Sequence, residues 1–234
     1  MNLAGTGDVV LLCEHASNHI PAEYNGLGVS PADLQRHIAW DPGAAEVTRR
    51  LSQSLDAPAF LGTYSRLLID LNRPLEAPSS IVTRSEATDI SGNINLDEVD
   101  IRRRIDTIFL PYHAQVAAYL EARQKAGKAT RLVCIHSFTP VYLEETRIWH
   151  GGVLFGEAEG FGRELLAKLQ TPGLNIGANV PYATNRTEDY GVPVHGDDRD
   201  IPAVLIEIRN DLISDDAGIG EWADRLAGAL RYPL

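Results

Sequence analysis

Apolar residues in this chain form short continuous runs, and the segments between the runs repeat at helical spacing. Six runs predict β-strands, at residues 8–13, 57–62, 66–71, 131–136, 151–156 and 202–208. The runs are continuous rather than alternating, which is typical of strands covered on both faces. They therefore predict a central sheet with helices on either side.

Helical spacing is clearest after "DPG", where Ala44, Val47, Leu51 and Leu55 recur every three or four residues. Further helical patterns lie at 97–110, 112–126 and 161–169 and in the last 15 or so residues, with a break expected at Pro111. Strands that alternate with helices favour an α/β fold with a largely parallel or mixed sheet. No linker interrupts the pattern, so we expect one domain over residues 1–234.

Two segments, 74–97 and 180–200, are rich in Pro, Gly, Asn and Asp and are predicted to be long surface loops. Loops of this length often carry function.

Composition narrows the class of partner. The 234 residues hold 21 Lys and Arg against 32 Asp and Glu, a formal net charge of -11. This balance argues against nucleic acid, because phosphate binding needs clustered basic residues. No run approaches the ~20 apolar residues of a membrane span, and the N-terminus has no signal-peptide pattern. With only two cysteines, a reduced cytoplasmic setting is expected. Nothing in the sequence indicates the oligomeric state.

Polar side chains cluster where the predicted strands end, which is where an open parallel α/β sheet binds ligands. A further turn, "HIAWDPGA", supplies Asp41 just before a helix. The strand-end groups are Glu14 and His15, then Asp70, Asn72 and Arg73, then His136, and finally Glu207 in "VLIEIR".

Two histidines and a carboxylate form the ligand set of a catalytic zinc ion, so His15 and His136 are the candidate ligands. Glu207 interrupts an apolar strand, and a buried unpaired acid costs several kcal/mol, so it needs a cation, a metal or a raised pKa. It is the candidate general base. Cys13 and Cys134 are interpreted as small core residues.

Seven motifs, in order, resemble the N-formylglutamate amidohydrolase family. They are "CEHASNHIP", "HIAWDPGA", "YSRLLIDLNRP", "PYHAQV", "IHSFTP", "GANVPY" and "IEIRNDL", spanning residues 8–213. The resemblance implies a fold similar to that of zinc-dependent carboxypeptidases. It also implies hydrolysis of a C–N amide bond in a small anionic N-acyl amino acid such as N-formyl-L-glutamate.

The resemblance also implies roles for single residues. His15 and His136 fall on the strand-end zinc ligands, and Glu207 falls on the catalytic glutamate of the carboxypeptidases. Those enzymes take a third ligand from H-x-x-E, but residue 18 here is Asn, so Asp41 is the first choice and Glu14 the second. The substrate carboxylates are expected to bind Arg66, Asn72 and Arg73, with Arg147 in "ETRIWH" as a second candidate site.

Two other functions are compatible with the same residues. One is a zinc carboxypeptidase or deacylase that acts on another N-acyl amino acid or short peptide. The other is a non-catalytic protein that binds an acidic metabolite. His195, in the second long loop, is a further residue that we consider for the site.

Overall fold

A six-stranded mixed sheet organises the chain, and the computed structural model describes residues 2–231. Its strands are β1 (Val9–Cys13), β2 (Ala59–Leu61), β3 (Arg131–Phe138), β4 (Gly151–Leu154), β5 (Ile176–Ala178) and β6 (Ala203–Arg209). The order across the sheet is β2-β1-β3-β6-β4-β5. All neighbours are parallel except β4 and β6, which are antiparallel. The predicted α/β class with a mixed central sheet is thus confirmed.

Helices cover both faces of the sheet. They are α1 (Ala44–Leu55), α2 (Glu98–Arg104), α3 (Leu110–Lys125), α4 (Glu159–Leu169) and α5 (Asp216–Leu230). The apolar sides of α1, α4 and α5 pack on one face, and Val116 and Leu120 of α3 pack on the other. No helix within residues 2–231 is long and apolar enough to cross a membrane.

The break predicted near Pro111 is absent. One π-helical turn, Ile105–Phe109, joins α2 directly to α3, and Pro111 lies in the first turn of α3. Proline has no N–H group to donate, and the π turn directly before it is where the regular α-helical hydrogen-bond pattern is interrupted.

The strand predicted at 66–71 is wrong. The segment is buried, but it forms turns in an apolar cluster that is separate from the two faces of the sheet. Its carbonyl groups accept hydrogen bonds from side chains rather than from a neighbouring strand: Leu68 from Arg104 at 2.8 Å and Leu67 from Asn93 at 2.8 Å. These side chains satisfy a buried backbone that would otherwise need a sheet ladder.

The two predicted long loops contain short ordered elements. Residues 74–97 include the two-stranded hairpin Arg84–Ser85 and Thr88–Asp89, and residues 180–200 include a π-helical turn at Gly191–Gly196. A second hairpin, Val141–Tyr142 with Glu145–Thr146, follows β3.

Candidate active site

Sheet register places two of the polar side chains side by side in one row. Glu207 of β6 pairs with His136 of β3, and on the other side of β3 Leu12 pairs with Cys134. Because β1 ends at Cys13, the next two residues leave the strand, and Glu14 and His15 are both buried in the same region.

Asp41 reaches this row from the turn before α1. Its backbone N–H donates to the carbonyl of His15 at 2.9 Å, which fixes the turn against the end of β1. Its Oδ2 atom lies 3.1 Å from Nδ1 of His136 and 3.4 Å from Nδ1 of His15. One ligand atom from each of these three buried residues lies within 4.8 Å of the others.

The opposite nitrogens of both imidazoles also contact carboxylates. Nε2 of His15 lies 2.7 Å from Oδ1 of Asp70, and Nε2 of His136 lies 3.0 Å from Oε2 of Glu14. Metal-ligating histidines almost always have such a partner on the nitrogen that does not bind the ion. Glu14 therefore stands behind His136 and outside the three-residue group, whereas Asp41 lies inside it.

The charges of this cluster reinforce one another. Burial opposes a charge on His136, but the carboxylates of Asp41 and Glu14 outweigh it and raise the pKa of the imidazole well above its ordinary value. Burial likewise opposes ionisation of Asp41, and the nearby His15 and His136 overcome it and lower the pKa of that carboxyl.

These residues fit a divalent transition metal. Two imidazole nitrogens and a carboxylate oxygen are the donors that catalytic zinc takes, with a further position open. Nδ1 of His15 is buried and has no hydrogen-bond partner, although it faces Asp41. A buried nitrogen without a hydrogen-bond partner is expected in a side chain that binds a cation.

Glu207 is the buried acid beside this cluster. Its Oε2 atom has no hydrogen-bond partner. Burial, which the positive charge of His136 only partly offsets, raises the pKa of its carboxyl to about 8. It makes no pair with Arg209, which instead holds Asp211 at 2.7 Å.

A cavity of about 580 Å³ opens in front of the cluster. Pockets of this size accommodate small molecules. Its wall includes the three candidate metal ligands, Glu207, and Tyr182 of the second long loop. It also includes three arginines, Arg66, Arg73 and Arg84.

The predicted carboxylate-binding residues are already engaged. Arg66 donates from Nη2 to Oδ2 of Asp70 at 2.6 Å, and Arg73 lies 3.2 Å from Oδ1 of Asp189. Asn72 accepts the backbone N–H of Gly191 at 2.8 Å, so its amide fastens the second long loop to the cavity wall.

Arg147 lies behind the cavity rim. Its guanidinium carbon is 4.7 Å from the ring centre of Tyr142 and 4.8 Å from that of Tyr182, two residues that line the cavity. Aromatic faces attract guanidinium groups, so the two rings position this cation.

His195 lies elsewhere. It faces His113, with Nε2 of His195 2.8 Å from Nδ1 of His113 in a buried pair that does not line the cavity. Cys13 and Cys134 are free and buried. Asp70 was one of the strand-end groups that the sequence indicated, but it was assigned no role, and Tyr182 was not selected. The spacing of four residues between Arg66 and Asp70 was the available signal for their ion pair.

The chain is similar to proteins of one family. The family model described as N-formylglutamate amidohydrolase matches residues 7–214. A crystal structure of a gene product from Agrobacterium tumefaciens is 38% identical, with a TM-score of 0.93 over 98% of this chain and 93% of that chain. The crystal structure of N-formylglutamate amidohydrolase from Ralstonia eutropha is 16% identical, with a TM-score of 0.67 over 97% and 92% of the two chains, and shows the shared fold. No curated protein matches the chain significantly.

Proposed function

Because the chain belongs to the N-formylglutamate amidohydrolase family, we propose that it is a metal-dependent hydrolase of the amide bond in N-acyl amino acids. N-formyl-L-glutamate, the substrate in the family's name, is the first compound to test. The observation that carries the proposal is the group of His15, Asp41 and His136, with each imidazole backed by a second carboxylate.

These three residues would hold the metal, and zinc fits their donor set best. Zinc in such a site supplies a Lewis acid for the carbonyl oxygen and lowers the pKa of water.

Glu207 performs the proton transfers in this proposal. Its unpartnered Oε2 takes a proton from the water that attacks the amide carbon, and the same carboxyl then gives that proton to the departing amine nitrogen. A carboxyl whose pKa is raised by burial is suited to both steps near neutral pH.

Arg66 acts nearby as a fixed positive charge. Its Nη1 lies 3.6 Å from Oδ1 of Asp41, and its pairing with Asp70 holds the guanidinium at the cavity wall. A cation in this position stabilises negative charge that develops on the carbonyl oxygen.

The deciding experiment combines elemental analysis with a turnover assay. We expect about one zinc ion per chain in protein supplied with zinc, and release of formate from N-formyl amino acids. The His15→Ala/His136→Ala variant should lose both properties. The matched control His19→Ala/His150→Ala removes two histidines outside the cluster and should keep both. A wild-type protein that binds zinc but hydrolyses no N-acyl amino acid or short peptide would favour the metabolite-binding function instead.

A further inference from the structure

Each of the three arginines in the cavity wall forms an ion pair with a carboxylate of the protein. Arg66 is paired with Asp70, Arg73 with Asp189, and Arg84 with Asp89 at 2.6 Å. A substrate carboxylate that approached Arg73 would meet the carboxylate of Asp189 as well. Like charges brought together in a partly buried site repel strongly, so Arg73 discriminates against an added negative charge. Arg66 faces the amide carbonyl in the proposed mechanism, and Arg84 forms an exposed ion pair.

Arg147 is the exception among the basic residues at this end of the sheet. It forms no ion pair with a carboxylate within residues 2–231, and its buried Nη1 has no hydrogen-bond partner. The groups around its guanidinium are the rings of Tyr142, Tyr182 and Phe138, the last at 5.7 Å. Arg147 therefore offers a guanidinium with an unpartnered Nη1 beside two residues that line the cavity.

The cavity rim next to Arg147 is apolar. Tyr142 and Tyr182 line the cavity and are also 37% and 44% exposed. Val141 and Leu143 of the same hairpin are 49% and 65% exposed. Exposed apolar and aromatic side chains beside a pocket mark a binding surface for an apolar group.

We propose that the substrate of this chain is an N-acyl amino acid with a single carboxylate and an apolar or aromatic side chain, rather than a dicarboxylic one such as N-formylglutamate. The α-carboxylate pairs with Arg147, and the side chain packs against Tyr142 and Tyr182. This inference rests on the proposed amidohydrolase function and narrows its substrate class.

The test compares three ligands that differ in one property at a time. N-Formyl-L-glutamine has nearly the shape of N-formyl-L-glutamate without the second charge, and N-formyl-L-phenylalanine adds an aromatic side chain. Dissociation constants are measured by calorimetry on the zinc-supplied Glu207→Gln variant, and turnover is measured on the wild type. We expect the glutamate compound to bind at least tenfold more weakly than the glutamine compound, and the phenylalanine compound to bind most tightly.

Three variants test which residues determine this order of affinities. Arg147→Gln should weaken binding of all three compounds at least tenfold, whereas the control Arg163→Gln, which changes an exposed arginine outside the cavity wall, should leave binding unchanged. Asp189→Asn, which releases Arg73 from its carboxylate, should improve binding of the glutamate compound relative to the glutamine compound.

Binding and turnover separate the two hypotheses. If the glutamate compound binds as tightly as or more tightly than the glutamine compound, or if none of the three binds, the substrate class inferred here is wrong. If the expected binding order holds but the wild type hydrolyses none of them, the ligand class is supported and the amidohydrolase function is wrong.

Discussion

Oδ1 of Asp70 lies 2.7 Å from Nε2 of His15, while Oδ2 of the same carboxylate accepts from Arg66 at 2.6 Å. Asp70 thus orients an imidazole and anchors a cation at once. Burial opposes its ionisation, but Arg66 and His15 overcome this and hold the pKa of Asp70 well below its ordinary value. The carboxylate stays charged, and Nδ1 of His15 stays directed toward Asp41.

Asp70→Asn should therefore weaken zinc binding by about 10–100-fold, the usual effect of removing a carboxylate behind a ligating histidine. Competition with a chromogenic chelator measures the affinity. The control is Asp89→Asn, which removes a carboxylate from an exposed ion pair with Arg84. Unchanged zinc affinity in a folded Asp70→Asn variant would show that Asp70 does not position His15.

Glu207→Gln should keep zinc and lose most turnover. Glutamine has nearly the same shape but cannot take a proton, and general acid–base groups contribute about 10²–10⁴-fold to rate. We expect kcat to fall within that range, with zinc content unchanged by elemental analysis. Glu188→Gln changes another acid of the cavity wall and should retain activity. A Glu207→Gln variant with wild-type kcat would remove this residue from the mechanism.

The sheet was largely predictable because its strands are continuous apolar runs. β1, β3 and β6 were expected within two residues of their observed limits. Residues 66–71 have the same apolar character but form turns, because Arg104 and Asn93 from distant segments satisfy their carbonyls. Periodicity cannot distinguish such a segment from a strand. β5 was missed because its three residues, Ile176–Ala178, include a central glycine and are flanked by asparagines, so they form no continuous apolar run.

The site was predictable only where the sheet determines it. The rule that open parallel sheets bind ligands at the carboxyl ends of their strands predicted His15, His136 and Glu207 as site residues. All three line one cavity in the structure. The pairing of Asp70 with His15 and of Glu14 with His136 was not predictable. Asp70 lies in a turn, and Glu14 lies just beyond the end of β1, so the sheet does not determine where either side chain points. Metal binding by this group stays a prediction that the experiments above test.

Gly191→Ala should weaken zinc binding without changing any residue that touches the ion. A Cβ atom at Gly191 would lie 2.5 Å from Oε1 of Glu14, whose other oxygen holds His136, so the carboxylate must move. We expect about tenfold lower zinc affinity by chelator competition. Gly160→Ala is the matched control, because an added Cβ there meets nothing within 4 Å. Equal affinities in the two variants would mean that Glu14 can shift without disturbing His136.

The buried pair of His113 and His195 should make the fold sensitive to mild acid. Burial lowers the pKa of His113 to about 4. Burial, with His113 and Arg199 nearby, lowers the pKa of His195 to about 2. In the unfolded chain both imidazoles have a pKa of about 6.5. The unfolded state therefore binds more protons below that pH, and the free energy of unfolding falls as pH drops from about 6.5 toward 4.

Replacing one member of the pair should reduce this dependence. His195→Gln removes one titrating group, so the slope of unfolding free energy against pH should decrease by up to about 1.36 kcal/mol per pH unit between pH 6 and 4.5. Urea unfolding at a series of pH values measures the slope. Above pH 7.5 both histidines are neutral in the folded and the unfolded state, so plots of unfolding free energy against pH should be parallel for wild type and variant. If the two plots are also parallel between pH 6 and 4.5, then folding does not lower the pKa of His195.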